Sequence, residues 1–178
     1  MKQLLLIFLF MPFYSIAQNE MDIDTLHFNF SEVMKADSVS AATLYSNAKL
    51  FIANAFVSAK NVTQLEDEKS NTIVVKGLFI LPLKNMPYSF SYLKTFTTTF
   101  KLQIQTKDNK YKYTLSDFVV QDNPVKSGDL SLPYEKGKGE IAQKQHKKVW
   151  DIMKQTAYDY TTNFILNLKK DMLKNNDF

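Results

Sequence analysis

The stretch that most narrows the fold is "FTTTFKLQIQTKDNKYKYTLSDFVV", residues 96–120. Phe96, Thr98, Phe100, Leu102 and Ile104 alternate with Thr97, Thr99, Lys101, Gln103 and Gln105. After Asp108-Asn109, Tyr111, Tyr113 and Leu115 alternate with Lys112, Thr114 and Ser116. Successive side chains on a strand point to opposite faces, so this period of two predicts a hairpin with one apolar and one polar face. The Asp-Asn pair tolerates the positive φ of a tight turn. A sheet with one apolar face needs a cover, and the chain supplies candidates on both sides of the hairpin.

Upstream, Leu44, Ala48, Phe51, Ile52, Ala55 and Phe56 recur at helical spacing. Ser38 or Ser40 suits the start of that helix, and Lys60 suits the dipole at its end near 58–61. Downstream, Val149, Ile152, Met153, Tyr160, Phe164, Leu168 and Met172 stripe a long helix over about Lys144 to Lys174. Residues 25–33, 62–65 and 72–83 read as further strands, the last ended by Pro82. Residues 121–140, rich in Asp, Asn, Pro, Ser and Gly, read as a loop with a short strand at 130–134. The order is strand, helix, four strands, long helix. It predicts a two-layer α+β domain, an antiparallel sheet with both amphipathic helices on one face.

The first residues read as an export signal. Lys2 precedes an apolar run from Leu4 to Phe13, and Ser15 and Ala17 place small residues at a cleavage site. That run is too short for a bilayer core of ~30 Å. Cleavage is expected between Ala17 and Gln18, leaving residues 18–178 as one domain with no transmembrane segment. No Cys follows the run, which argues against a lipid anchor, and no disulfide can form. Export without disulfides points to a bacterial envelope, periplasmic or beyond. All 22 basic residues are Lys. Arg is the usual residue for bidentate phosphate and base-edge contacts, so the net charge of +4 is not read as nucleic-acid binding.

Few residues look like chemistry. Glu66-Asp67-Glu68 are consecutive, so on a strand only Glu66 and Glu68 share a side, and the spacing lacks the alternate acids of a calcium loop. The stretch reads as the polar end of a hairpin with Ser70-Asn71 near its tip. His27 and His146 have no second His or any Cys beside them for zinc. His27 reads as a structural strand residue and His146 as a solvated helix residue. No G-x-S-x-G elbow occurs, and Gly137 and Gly139 lack dinucleotide-loop spacing. No cofactor or metal is expected.

Residues 44–77, then 100–118, resemble the DUF4468 family, a domain of unknown function with a TBP-like fold found in exported proteins of Bacteroidetes-type bacteria. The resemblance rests on Leu44-Tyr45, Ala48, Phe51, Phe56, Asp67, Gly77, Asp108, Lys110, Tyr111 and Tyr113, and spans roughly Thr25 to Phe118. Phe51 stands where Trp is frequent, and Lys110 and Lys112 where Arg is common; all keep the character of the residue. The resemblance implies an exported TBP-like domain, places 66–68 between adjacent strands, and implies no known activity.

Two surfaces then stand out. Thr97, Thr99, Lys101, Gln103, Gln105, Lys112, Thr114 and Ser116 line the open face of the sheet. That face reads either as plainly solvated or as a docking surface for a protein, a glycan or a second copy. The minor-groove reader for which this fold is named inserts apolar wedges and polar side chains; here wedges and Arg are missing. "NMPYSFSYLKTF" holds Tyr88, Phe90, Tyr92 and Phe96, a core flap, an interface or the lid of a small cavity. The reading that follows is a non-catalytic, exported binding or scaffold module of the envelope. Its partner would be an envelope protein, a glycan or a small molecule. The alternatives are a carrier of a small apolar ligand between sheet and last helix, and a hydrolase using His27 or His146 with an acid.

Overall fold

Period-two alternation yields two long strands, and a near-continuous apolar run yields a third. A computed structural model describes residues 23, 26–121, 128–132 and 140–174. Strand β1 is Phe30–Lys35, helix α1 Ala41–Ala55, a single turn α2 Ala59–Val62, and β2 Thr63–Asp67. Then come β3 Thr72–Pro82, β4 Thr95–Lys107, β5 Lys110–Gln121, a two-residue β6 at Gly128–Asp129, and α3 Glu140–Met172. The sheet runs β1-β5-β4-β3-β2, with β6 beside β5, and every pairing is antiparallel. This is the expected two-layer α+β arrangement. The expected signal segment 1–17 and its cleavage point lie outside the described residues.

The helices cover one face only. Leu44, Ala48, Phe51 and Ile52 of α1, and Val149, Met153, Ala157, Ile165, Leu168 and Met172 of α3, are buried against the sheet. Of the expected α3 stripe, Tyr160 stays exposed and Thr161 is buried instead. Steps of four residues drift round a 3.6-residue helix, so the buried line on α3 slides past Tyr160. The layer between is filled by rings. Phe79 stacks on Phe100 at 4.1 Å between centroids, Phe100 on Phe118 at 5.7 Å, and Phe164 meets Phe79 edge-on at 5.3 Å. Each buried ring contributes about 1.5–3 kcal/mol, and good ring pairs about 0.5–1.5 kcal/mol beyond that.

Boundaries differ from the sequence reading where local chemistry intervenes. Residues 26–29 are not in a strand; Leu26 and Phe28 are buried there, and His27 is exposed rather than a strand residue. Helix α1 stops at Ala55, capped by Phe56, so Lys60 belongs to the separate turn α2. Ser40 is the N-cap: its Oγ accepts from the Thr43 amide at 3.1 Å. The short strand expected at 130–134 is instead the pair 128–129, while Leu130 is buried in a turn; residues 133–134 lie outside the described residues. Helix α3 begins four residues early.

The turn at the end of the β4–β5 hairpin is tied to α1. Asn109 has φ 65°, the conformation its residue type tolerates. The Asp108 Oδ1 accepts from the Ala41 amide at 2.8 Å, and Asn109 Oδ1 from the Ser38 amide at 2.9 Å. No acid stands in the first turn of α1, so Asp108 brings the negative charge that a helix N-terminus favours.

Candidate functional site: the open face of the sheet

Directly opposed residues in an antiparallel pair share a face, so the register maps the side away from the helices. Gln105 stands opposite Lys112, Gln103 opposite Thr114, and Lys101 opposite Ser116. Thr99 stands opposite Val119 and Thr97 opposite Gln121. All eight residues expected on the polar face therefore come together there. Lys101, Gln105 and Lys112 are exposed and the other five half-buried. Thr114 and Ser31 share a hydroxyl hydrogen bond of 3.0 Å, and Thr99 Oγ1 donates to the Val119 carbonyl at 3.4 Å.

The neighbouring strands extend this face in ways the hairpin alone did not disclose. Strand β1 adds Ser31, Val33 and Lys35, opposite Thr114, Lys112 and Lys110. Strand β3 adds Val74, Lys76, Leu78 and Ile80, opposite Gln103, Lys101, Thr99 and Thr97. Leu65 of β2 stands opposite Val74. The expectation that the face lacks apolar side chains is thus corrected: Val33, Leu65, Leu78 and Ile80 lie on it and are exposed. Leu78 and Ile80 were hidden because β3 reads as a near-continuous apolar run, which gives no phase; the covering helices set it.

Six lysines stand on this face: Lys35, Lys76, Lys101, Lys107, Lys110 and Lys112. Lys35, Lys110 and Lys107 form one row across β1, β5 and β4, and Lys101 directly faces Lys76. Asp117 sits among them. It has φ 58° and forms a bulge where the β4–β5 register shifts between Thr99 and Lys101. Around the bulge lies a hollow of about 520 Å³ lined by Gln64, Lys76, Thr99, Lys101, Asp117 and Gln121, among others. Among the described residues, no ion pair lies on this face. The pairs Lys49–Glu66, Lys147–Asp151, Lys169–Glu32 and Lys174–Asp171 all involve α1 or α3.

The other candidates resolve locally. Asp67 Oδ1 accepts from the Lys69 amide at 3.0 Å, and Oδ2 from Ser70 Oγ at 2.7 Å. These bonds hold the Asp67 carboxyl below its ordinary range, the Ser70 hydroxyl first. Glu66 pairs with Lys49 at 2.5 Å. The acidic stretch is the end of the β2–β3 hairpin, with Asn71 at φ 50°. In the aromatic segment, Phe90 is buried at the end of a 3-10 turn spanning Tyr88–Phe90, whereas Tyr88 and Tyr92 are 95% and 64% exposed. Phe96 is buried within β4. His146 is not simply solvated: its ring meets Phe90 edge-on at 5.2 Å. Among the described residues, no group of three His, Asp or Glu could hold a metal, and no helix is long and apolar enough to cross a membrane.

One carboxylate joins the layers. Glu32 Oε2 accepts from Tyr113 Oη at 2.7 Å and from Lys169 Nζ at 2.6 Å. Lys169 first, then Tyr113, hold the Glu32 carboxyl below its ordinary value. Burial, then the Glu32 contact, push the Tyr113 hydroxyl far up, and burial raises Tyr111 to about 12. Both hydroxyls therefore stay protonated at neutral pH.

The fold has solved counterparts. A TBP-like protein from Parabacteroides distasonis ATCC 8503 superposes with a TM-score of 0.56 at 13% identity, covering 83% of this chain and 98% of that one. A DUF4468 family protein from Bacteroides ovatus ATCC 8483 gives 0.63 at 13% identity, covering 84% and 88%. Likeness at that identity shows the fold. No curated protein matches the sequence significantly. The model of the domain of unknown function DUF4468, with TBP-like fold, matches residues 30–121, just over half of the chain. The chain belongs to the DUF4468 family.

Proposed function

We propose that this chain is a non-catalytic docking module of the bacterial envelope, exported by residues 1–17, whose partner binds the open face of the sheet. The observation that carries the reading is the one-sided cover. Both long helices pack on one face, and the opposite face bears half-buried Thr and Gln, exposed apolar side chains and lysines that form no ion pair among the described residues. A non-catalytic role is supported by the histidines. His27 is exposed, His146 packs on Phe90, and among the described residues neither hydrogen-bonds a Ser or an acid. A hydrolase would need such contacts within reach. Photo-crosslinking tests the reading. A photoreactive residue in place of Gln103 should give a discrete adduct in cells of the source organism, and one in place of Asp159 on α3 should give none. Equal adducts from both positions, or none from Gln103, overturn it.

A second reading, a carrier of a small apolar ligand, has a narrower support. The rings fill the layer where an enclosed ligand was expected. An open groove of about 380 Å³ remains beside β3, lined by Phe56, Leu78, Phe79, Ile80, Tyr160 and Phe164 among others. Native mass spectrometry of the chain from its own source tests this reading. A discrete mass excess supports it, and a bare chain mass overturns it.

A further inference from the structure

We infer that the partner of the open face is an acidic stretch of polypeptide that also carries apolar side chains. The inference rests on the docking reading above and adds the chemistry of the partner. Charge is the first argument. Lys35, Lys110 and Lys107 stand in one cross-strand row, and Lys76 directly faces Lys101. Like charges in direct opposition are unfavourable, and the three acids on this face, Asp67, Asp117 and Asp129, are outnumbered by its six lysines and form no ion pair with them among the described residues. Glu32, Glu66, Asp151 and Asp171, by contrast, each pair with a lysine on or beside α1 or α3. Six lysines against three acids leave this face, which no helix covers, with a positive surplus of its own.

The remaining chemistry of the face selects polypeptide among the anions. It carries no Arg fork for bidentate phosphate contacts. None of the side chains that the register places on it is aromatic, so it offers no ring on which a sugar or a base could stack. It does carry exposed Leu65, Leu78 and Ile80, which an apolar side chain can cover and a glycan or phosphate backbone cannot. Thr97, Thr99 and Gln103 supply donors and acceptors for a partner's peptide groups. Five strands spaced at about 4.8 Å, with the longest offering about 43 Å of length, give a face of roughly 800 Å². That is room enough for a specific partner, since a standard interface buries about 800 Å² on each side.

The test uses the full chain and fluorescence anisotropy with labelled probes at low and near-physiological salt. A short peptide of Glu, Leu and Gly should bind, and salt should weaken it. The triple variant K76E/K101E/K112E should weaken that binding roughly tenfold or more, through reversed Coulomb terms. L78S/I80S should weaken it at both salt concentrations. K144E/K148E on α3 should leave it unchanged. Equal loss in K144E/K148E would reduce the effect to net charge and overturn the inference. So would equal binding of polygalacturonate or single-stranded DNA, or no binding of the peptide. A Gln103 cross-link without peptide binding would overturn the partner's chemistry and leave the docking reading standing; failure of both would remove both.

Discussion

Gly77 lies directly opposite Phe100 in the β3–β4 register, and the Phe100 ring occupies the space that a side chain at Gly77 would need. The ring has no room to retreat. It stacks on Phe79 and Phe118 and meets Phe164 edge-on at 5.7 Å. Overpacking of this kind costs about 1–3 kcal/mol. Gly77→Ala should therefore lower stability in urea by about that amount, and G77A/F100L should recover part of it. A neutral G77A would mean that the ring cluster is loose.

The carboxylate of Glu32 ties β1 to α3 and gives stability an acid limb. Its folded pKa lies below the ordinary value of 4.5, held there by Lys169 and then Tyr113. A depressed acid contributes stability above its unfolded pKa and loses it as pH falls through the folded pKa. The side chain is about half exposed, so solvent screening limits the pair to about 0.2–1 kcal/mol. Glu32→Gln should cost about that much at neutral pH. The gap from the unmodified chain should close as pH drops below about 4. Urea midpoints measured at neutral and acid pH check the sign; a gap that widens in acid would refute it.

Asn47 is a polar residue inside an apolar helix stripe, and the structure gives it a partner. Its Nδ2 donates to the carbonyl oxygens of Met172 and Lys174 at 2.9 and 3.1 Å, closing the end of α3. Helix ends leave unpaired carbonyls, and losing a buried bond of this type costs about 1–3 kcal/mol. Asn47→Leu should destabilise the chain by that order. It should also speed amide hydrogen exchange over residues 165–174 more than over β4. Uniform acceleration would mean that the effect is global and not a lost cap.

The hairpin was legible because alternation is a local signal with a fixed phase, and it placed both the sheet and eight of the residues on its open face. Phase is lost where the backbone adds a residue. Asp117 adds one to β5, so Phe118 and Val120 turn inward and Val119 turns out. Nothing in "LSDFVV" marks the shift except that burying Asp117 would be costly. Strand β3 had the opposite difficulty. "IVVKGLFILP" is apolar at most positions, so Leu78 and Ile80 could not be assigned to a face before the helices were placed. Gly77 was visible as a feature of the family, and its reason, the Phe100 ring, required tertiary contact. The same holds for Lys35 and Lys76, whose place in the basic face depends on which strands are neighbours.

The opposition of Lys76 and Lys101 carries a stability consequence separate from any partner. Two like charges facing each other across a strand pair are destabilising, and an opposite pair stabilises, each by about 0.2–1 kcal/mol. Lys101→Glu should therefore raise stability at low salt by several tenths of a kcal/mol or more, and the gain should shrink as salt screens the pair. Lys148→Glu, on an exposed part of α3, controls for the change in net charge. Urea melts at two salt concentrations separate the two. A gain in K101E that persists in high salt would point to strand propensity instead of charge. A salt-sensitive gain would show that the native pair lowers the stability of the sheet, the pattern expected where a surface is kept for binding and not for folding.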